Sequence, residues 1–458
     1  MLTIIPNDQI EKLKNRYPSL ADCDDKFILY QNTEYSYLPR YFFKQFPFDK
    51  YIFFNDSNFS EKEINIEFTK SLRDYQEEGA NFILNSYRTN GYVNGIFEAL
   101  VGYGKTTVAT FLTSTLKKKT LIVIDNSKLM QQWIEAYLEF TNLTIDDIGI
   151  IKGKKLEFDK AVTIANVQTL MSRVRNNLNE SYPIFRDAGF GLIFYDEVHK
   201  TSSGPRFATS TLLLPSKNII GLSATPFAHD INAILLYNSI GNVIYEYKDY
   251  KVKPKYVYFL KYSSGLGPKH SNRVRILRDY IKAVAYYNSI IFENKAYLQL
   301  IYEMSKKCVD VNHKILIIAI TIKQVENIIK YFSDRGLKAV PIYSKSNDIN
   351  KGTDSILVGT MKFASAGFDY PQLSALILAA PLKGRTTLIQ SIGRVVRSYP
   401  DKNSPIVIDL IDTDFPSLFE NNIITKINVI KKEFNIEDEV FNILNYQFSK
   451  KDIDYDDY

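Results

Sequence analysis

The chain has 458 residues, 45% hydrophobic and 24% charged, a length that calls for two or three domains and a balance that matches a globular protein in water. Its formal net charge of +6, from 57 Lys and Arg against 51 Asp and Glu, permits contact with a polyanion without demanding it. Two distant cysteines, Cys23 and Cys308, exclude a readable disulfide framework or zinc site, no apolar run is long enough to cross a membrane, and a cytoplasmic monomer is expected.

Residues 1–66 show no alternation of strand-like and helix-like stretches and are expected to form a small N-terminal accessory domain. Within them, Tyr37 to Tyr51 interleaves aromatics with Arg40, Lys44 and Lys50, which suits a nucleic-acid backbone groove or stacking wedge. A small β-rich core with solvated cations is the alternative. From Lys119 short apolar runs alternate with amphipathic stretches: Leu121 to Ile124 then Ser127 to Phe140, Ala161 to Ile164 then Val167 to Leu178, then Leu192 to Tyr195 and Ile219 to Leu222. This rhythm predicts βαβ units in a parallel sheet. It returns after a charged, Tyr-rich stretch ending in Lys253-Pro254, in Tyr256 to Leu260, Ile315 to Ile320, Lys323 to Asp334, Ala339 to Tyr343, Ile356 to Val358, Ala375 to Leu378 and Ile406 to Leu410. The fold class is therefore α/β, with two tandem parallel-sheet lobes over 67–250 and 251–448 and an acidic tail over 449–458. The densest basic stretch, Lys269 to Arg278 with Arg273, Arg275 and Arg278, follows Gly265-Leu-Gly-Pro268. It reads either as a mobile loop that grips phosphates or as the solvated start of a helix.

Three motifs carry chemistry. Ala99-Leu-Val-Gly102-Tyr-Gly104-Lys105-Thr106-Thr107 is a turn opening a helix, able to offer backbone N–H groups to phosphates, with Lys105 at the β/γ oxygens and Thr106 on Mg²⁺. Ala99 stands where the usual pattern has its first glycine. Asp196-Glu197 follows the buried run Gly191 to Tyr195, at the strand end where open α/β sheets bind ligands. Asp196 suits Mg²⁺ and Glu197 suits accepting a proton from water. Gln390-Ser-Ile-Gly393-Arg394-Val-Val-Arg397 lies in the second lobe, so its arginines can complete an ATP site only when the lobes close. The four histidines show no metal spacing.

With further segments in order, these motifs resemble the superfamily 2 helicases of the DExH type over roughly residues 67–410. The resemblance implies two RecA-like domains with ATP and Mg²⁺ as cofactors. It places Arg73 and Gln76 of Leu72-Arg-Asp-Tyr-Gln76 at the adenine, Trp133 of Leu129-Met-Gln-Gln-Trp133 near a nucleic-acid backbone, and His199 between the ATP site and the coupling motif Ser223-Ala224-Thr225-Pro226. Thr360, Gly367 and Asp369 resemble the motif that touches both nucleic acid and nucleotide, and Gln390, Arg394 and Arg397 the arginine-finger motif. Asp-Glu-Val-His in place of Asp-Glu-Ala-Asp argues against a DEAD-box RNA helicase. The compact core and the Gln-Trp pair most resemble the duplex-DNA group that includes the UvsW-type branch-migration helicases of tailed bacteriophages, with RecG and XPB more distant. That group implies remodelling of forks and four-way junctions. A translocase that displaces proteins without separating strands, and a module in which ATP merely gates attachment to DNA, remain the alternatives.

Overall fold

The computed structural model describes residues 2–21, 26–54, 56–125, 127–198, 204–224, 231–277, 279–342, 355–360 and 370–448. The chain divides into two compact units, 1–248 and 249–458.

The first unit is built on an eight-stranded sheet in the order β12-β5-β11-β10-β6-β9-β7-β8. Its strands are β5 (Asn94–Ala99), β6 (Thr120–Ile124), β7 (Ile148–Lys152), β8 (Lys155–Leu156), β9 (Val162–Asn166), β10 (Leu192–Tyr195), β11 (Ile219–Ser223) and β12 (Val243–Tyr247). All pairings are parallel except that of β7 with the short β8. Central strands such as Thr-Leu-Ile-Val-Ile of β6 and Leu-Ile-Phe-Tyr of β10 are buried throughout, because a parallel sheet is covered by helices on both faces. Alternate residues feed two cores. Ile122, Phe194 and Leu222 pack with Ile83, Leu112 and Trp133 on one face. On the other face Val123, Ile193 and Ile219 pack with Leu170, Phe207 and Leu236.

The N-terminal residues form an antiparallel sheet in the order β2-β3-β1-β4, from β1 (Leu2–Pro6), β2 (Tyr30–Gln31), β3 (Tyr35–Leu38) and β4 (Ile52–Phe54). It is not a separate compact unit. Its core of Ile5, Leu13, Phe27, Leu38 and Phe42 includes Ala208 and Leu235 of the large-sheet layer.

The second unit has a seven-stranded, wholly parallel sheet in the order β15-β16-β14-β17-β18-β13-β19. The strands are β13 (Tyr256–Tyr262), β14 (Ile315–Ala319), β15 (Val340–Ile342), β16 (Ile356–Thr360), β17 (Ala375–Leu378), β18 (Ile406–Asp412) and β19 (Phe441–Asn445). Three helices, Gly267–Ile276, Tyr280–Ile291 and Lys295–Asp310, stand between β13 and β14. A buried ion pair, Lys426 Nζ to Asp409 Oδ2 at 2.6 Å, ties the helix Ile423–Phe434 to β18.

Candidate functional site

In the first unit β5, β11 and β10 are consecutive and parallel, so their carboxyl ends emerge side by side. Ser223 pairs in register with Glu98, and Tyr195 pairs with Gly221. The Gly-Lys-Thr loop leaves β5, Ser223-Ala224 ends β11, and Asp196-Glu197 follows β10. One sheet edge thus gathers groups that the sequence keeps far apart.

The loop owes its shape to two glycines in the left-handed region, Gly102 at φ +86° and Gly104 at φ +89°. A Cβ on Gly104 would stand 2.2 Å from Gln76 Nε2. That amide is buried: Nε2 donates to Tyr103 O at 2.8 Å, while Oε1 accepts from Arg73 N at 3.0 Å. Gln76 therefore joins the loop to the start of the helix Asp74–Asn90, and Arg73 lies exposed with its guanidinium donating to the Tyr75 hydroxyl at 2.8 Å. Tyr103 points inward, ringed by Phe97, Tyr75 and Tyr247 at centroid distances of 5.6, 5.1 and 4.9 Å. Burial pushes its phenol well above the usual range. Lys105 opens the helix Lys105–Leu116, whose first N–H groups and positive dipole end suit an anion. Its ammonium donates to Ala99 O at 2.7 Å and Leu100 O at 3.1 Å. Thr106 and Thr107, in the first helical turn, are half-buried.

Asp196 is buried, its backbone N–H bonded to Val123 O at 2.9 Å and its Oδ2 accepting from Trp133 Nε1 at 2.9 Å. Glu197 is half-buried and holds φ at +56°, a left-handed conformation that a residue with a Cβ adopts only when its surroundings impose it. Asp196 and Thr106 offer hard oxygen donors, and among the described residues no group of three or more His, Cys, Asp or Glu forms a closed metal cage. Such a donor set fits Mg²⁺, which usually keeps water and shares itself with substrate phosphates.

In the second unit, the helix Arg385–Val395 buries Gln390 and Arg394, and Arg397 follows it half-buried. Lys402 Nζ donates to Arg397 O at 2.7 Å and Pro371 O at 3.1 Å. Burial, then the charge of Arg397, pushes that ammonium down to about 7. Thr360 ends β16 half-buried.

Two expectations for nucleic-acid contact need correction. Trp133 is 1% exposed, and its indole is committed to Asp196, so it supports the carboxylate and does not face a backbone. Arg40 is 4% exposed and donates to the carbonyls of Leu214 and Ser216. It clasps the N-terminal sheet to the large-sheet layer, its two terminal guanidinium nitrogens finding backbone acceptors there in place of water. Lys44 is exposed, its ammonium 4.7 Å from the Tyr41 ring. The basic stretch is a helix, Gly267–Ile276, with Arg273 and Arg275 exposed, the first with its guanidinium 4.8 Å from the Tyr286 ring. His199, Thr225, Gly367, Asp369 and Arg278 lie outside the described residues.

Sequence reasoning passed over Asp412 and Asp414. Asp414 Oδ2 accepts from Ser264 Oγ at 3.1 Å and Gly265 N at 2.8 Å, fastening the loop that leads into the basic helix. Asp412 is wholly buried, its Oδ2 accepting from the Tyr287 hydroxyl at 3.2 Å, and burial pushes its carboxyl up to about 7. The signal available was an Asp-Thr-Asp run closing a predicted strand.

Residues 69–228 match the family model described as "Type III restriction enzyme, res subunit". A putative ATP-dependent RNA helicase of Acanthamoeba polyphaga mimivirus is 26% identical over 436 residues, covering 90% of this chain and 77% of the relative. The DNA 3′-5′ helicase XPB of Kineococcus radiotolerans is 31% identical over 176 residues, 38% of this chain and 30% of that protein. Among solved structures, the ATP-dependent Type ISP restriction-modification enzyme LlaBIII bound to DNA superposes with a TM-score of 0.57 at 15% identity, covering 84% of this chain and 32% of that one. That likeness establishes a fold of RecA-like parallel-sheet domains.

Proposed function

We propose that this chain is a superfamily 2 helicase, an ATP-dependent enzyme of the helicase/translocase type, that works on duplex DNA and remodels branched forms of it, forks and four-way junctions, in replication, recombination or repair. The observation that carries the ATP chemistry is the single sheet edge that gathers the Gly-Lys-Thr loop, Ser223 and Asp196-Glu197. In this reading the loop N–H groups and Lys105 bind the β and γ phosphates, the ammonium exchanging its two loop carbonyls for phosphate oxygens. Asp196, oriented by Trp133, and Thr106 would hold Mg²⁺, which supplies charge neutralisation at the phosphates. Glu197 accepts the proton of the attacking water, held by its left-handed backbone. Arg394 and Arg397 stabilise the transferring phosphoryl group, with Gln390 beside them. The exposed Arg273 and Arg275 grip DNA phosphates, with Arg278 and Lys44 as further contacts. The XPB relative favours DNA, and the mimivirus relative's name raises RNA as the competing substrate.

The test is ATP hydrolysis by the wild-type protein and Lys105→Ala, side by side on single-stranded DNA, linear duplex, a fork, a four-way junction and RNA. Lys105-dependent stimulation by fork and junction above linear duplex supports remodelling. Equal stimulation by linear duplex favours a plain translocase, and stimulation by RNA alone overturns the choice of substrate. Glu197→Gln and Arg397→Ala are each expected to abolish stimulated hydrolysis while leaving DNA affinity largely intact.

A further inference from the structure

The helix Gly267–Ile276, which carries the exposed arginines, is clamped to its neighbour Tyr280–Ile291 at one side chain. His270 Nδ1 hydrogen-bonds the Tyr286 hydroxyl at 2.7 Å, and Arg273 lies over the same ring. The neighbour's first residue, Tyr280, is half-buried and donates its hydroxyl to Pro381 O at 3.1 Å, with the Lys383 ammonium 5.1 Å from its ring. One helix further on, buried Tyr297 donates to Ala379 O at 2.8 Å. Both acceptors belong to the segment 379–384, which leaves β17 and runs directly into the helix Arg385–Val395, where Gln390 and Arg394 are buried. The basic helix, Tyr286, Tyr280 and the segment 379–384 thus form one contiguous chain of contacts ending at the backbone that leads into the arginine helix, the kind of network through which two sites can be coupled.

We propose that Tyr280 is a positioning residue that couples DNA engagement by the helix Gly267–Ile276 to the placement of Gln390 and Arg394, through its hydrogen bond to Pro381 O. The inference rests on the reading that Arg273 and Arg275 contact DNA. DNA pressing on the two arginines biases the Tyr280–Pro381 bond, and the bond biases the helix that presents the phosphate-binding side chains. Tyr297, bonded to the same segment from the core side, supplies the fixed point against which the segment turns.

The experiment compares wild type, Tyr280→Phe and Arg273→Ala/Arg275→Ala in DNA affinity, in hydrolysis without DNA and in hydrolysis at saturating DNA. Tyr280→Phe keeps the ring beneath Lys383 and removes only the donor. It is expected to leave affinity and unstimulated kcat within about twofold, while stimulated kcat falls about two- to tenfold, the range one neutral hydrogen bond accounts for. A merely structural role would lower both rates together, so the split between them is the diagnostic readout. Lys383→Gln, which removes the ammonium over the face of the ring, provides a second variant with a smaller loss of the same kind. Full stimulation in Tyr280→Phe overturns the coupling while leaving the DNA contact standing. Unchanged affinity in the double arginine variant overturns the DNA contact, and the coupling with it.

Discussion

Trp133→Phe isolates one bond at the centre of the site. The indole N–H donates to Asp196 Oδ2 at 2.9 Å, and both side chains are buried. The phenyl ring keeps most of the apolar packing against Tyr137, whose ring lies 6.3 Å away, and removes the donor. A hydrogen bond to a charged acceptor is worth about 1.5–3 kcal/mol, and the smaller ring leaves a void costing about 1 kcal/mol more. For a unit of 248 residues the combined loss lowers the thermal midpoint by about 5–15 °C. The functional consequence falls on Asp196. A carboxylate that loses the partner fixing its orientation binds a metal about 10–100-fold more weakly. The assay is ATP hydrolysis titrated with Mg²⁺ below the unfolding temperature. The half-saturating Mg²⁺ concentration should rise by about 10-fold or more, with the rate recovering at high Mg²⁺. An unchanged Mg²⁺ dependence in a folded Trp133→Phe protein would refute the argument that the indole positions a metal-binding carboxylate.

Gly104→Ala places a methyl group against the Gln76 amide at a residue with φ +89°, and is expected to abolish nucleotide binding, measured with a fluorescent ADP analogue, at a stability loss of about 1–2 kcal/mol. Nucleotide affinity equal to wild type would show that the loop tolerates the shift. Arg273→Ala/Arg275→Ala should flatten the dependence of log DNA affinity on log salt by about 1.8, nearly one unit per lost phosphate contact; an unchanged slope returns the helix to a solvated surface. Asp412 binds its proton more tightly folded than unfolded, so its stabilising protonation is present at low pH and lost as pH rises from about 4 through about 7. Asp412→Asn should therefore flatten the fall in stability over that window by about 4 kcal/mol, read from denaturant midpoints at several pH values, and a parallel pH profile would exclude Asp412 as its source.

The parallel sheets were legible because buried strands must be apolar on both faces. Leu121 to Ile124, Leu192 to Tyr195 and Ile315 to Ile320 contain no charged residue, and each became a central strand, the last ending at Ala319. Less central strands carried weaker signals. β12 mixes Tyr and Glu, and β19, at the edge of its sheet, exposes Ile443 and Leu444. Order along the chain located the phosphate loop and the acidic pair, but that β5 and β10 end one strand apart, with β11 between them, is a fact of strand order that no local pattern encodes. Arg40 and Trp133 mislead for one reason. Each has a polar head that reads as a surface contact, and each spends it on a buried acceptor reached across more than 60 residues, with separations of 176 and 63.

The Trp133–Asp196 bond also changes what the segment Leu129 to Trp133 contributes. Its helix, Lys128–Phe140, starts at the carboxyl end of β6, next to β10 in the sheet. Trp133 turns inward beneath Asp196, and Asn166 Nδ2 at the end of β9 reaches Ser127 Oγ at 3.3 Å just before the helix begins. The helix is therefore anchored by one bond to the carboxylate beside the phosphate loop and by another to the neighbouring strand end. The core around Trp133 and Tyr137 is close-packed and does not absorb strain locally, so the helix is held as a body. The tryptophan that the sequence assigned to a nucleic-acid backbone thus serves the carboxylate that follows β10.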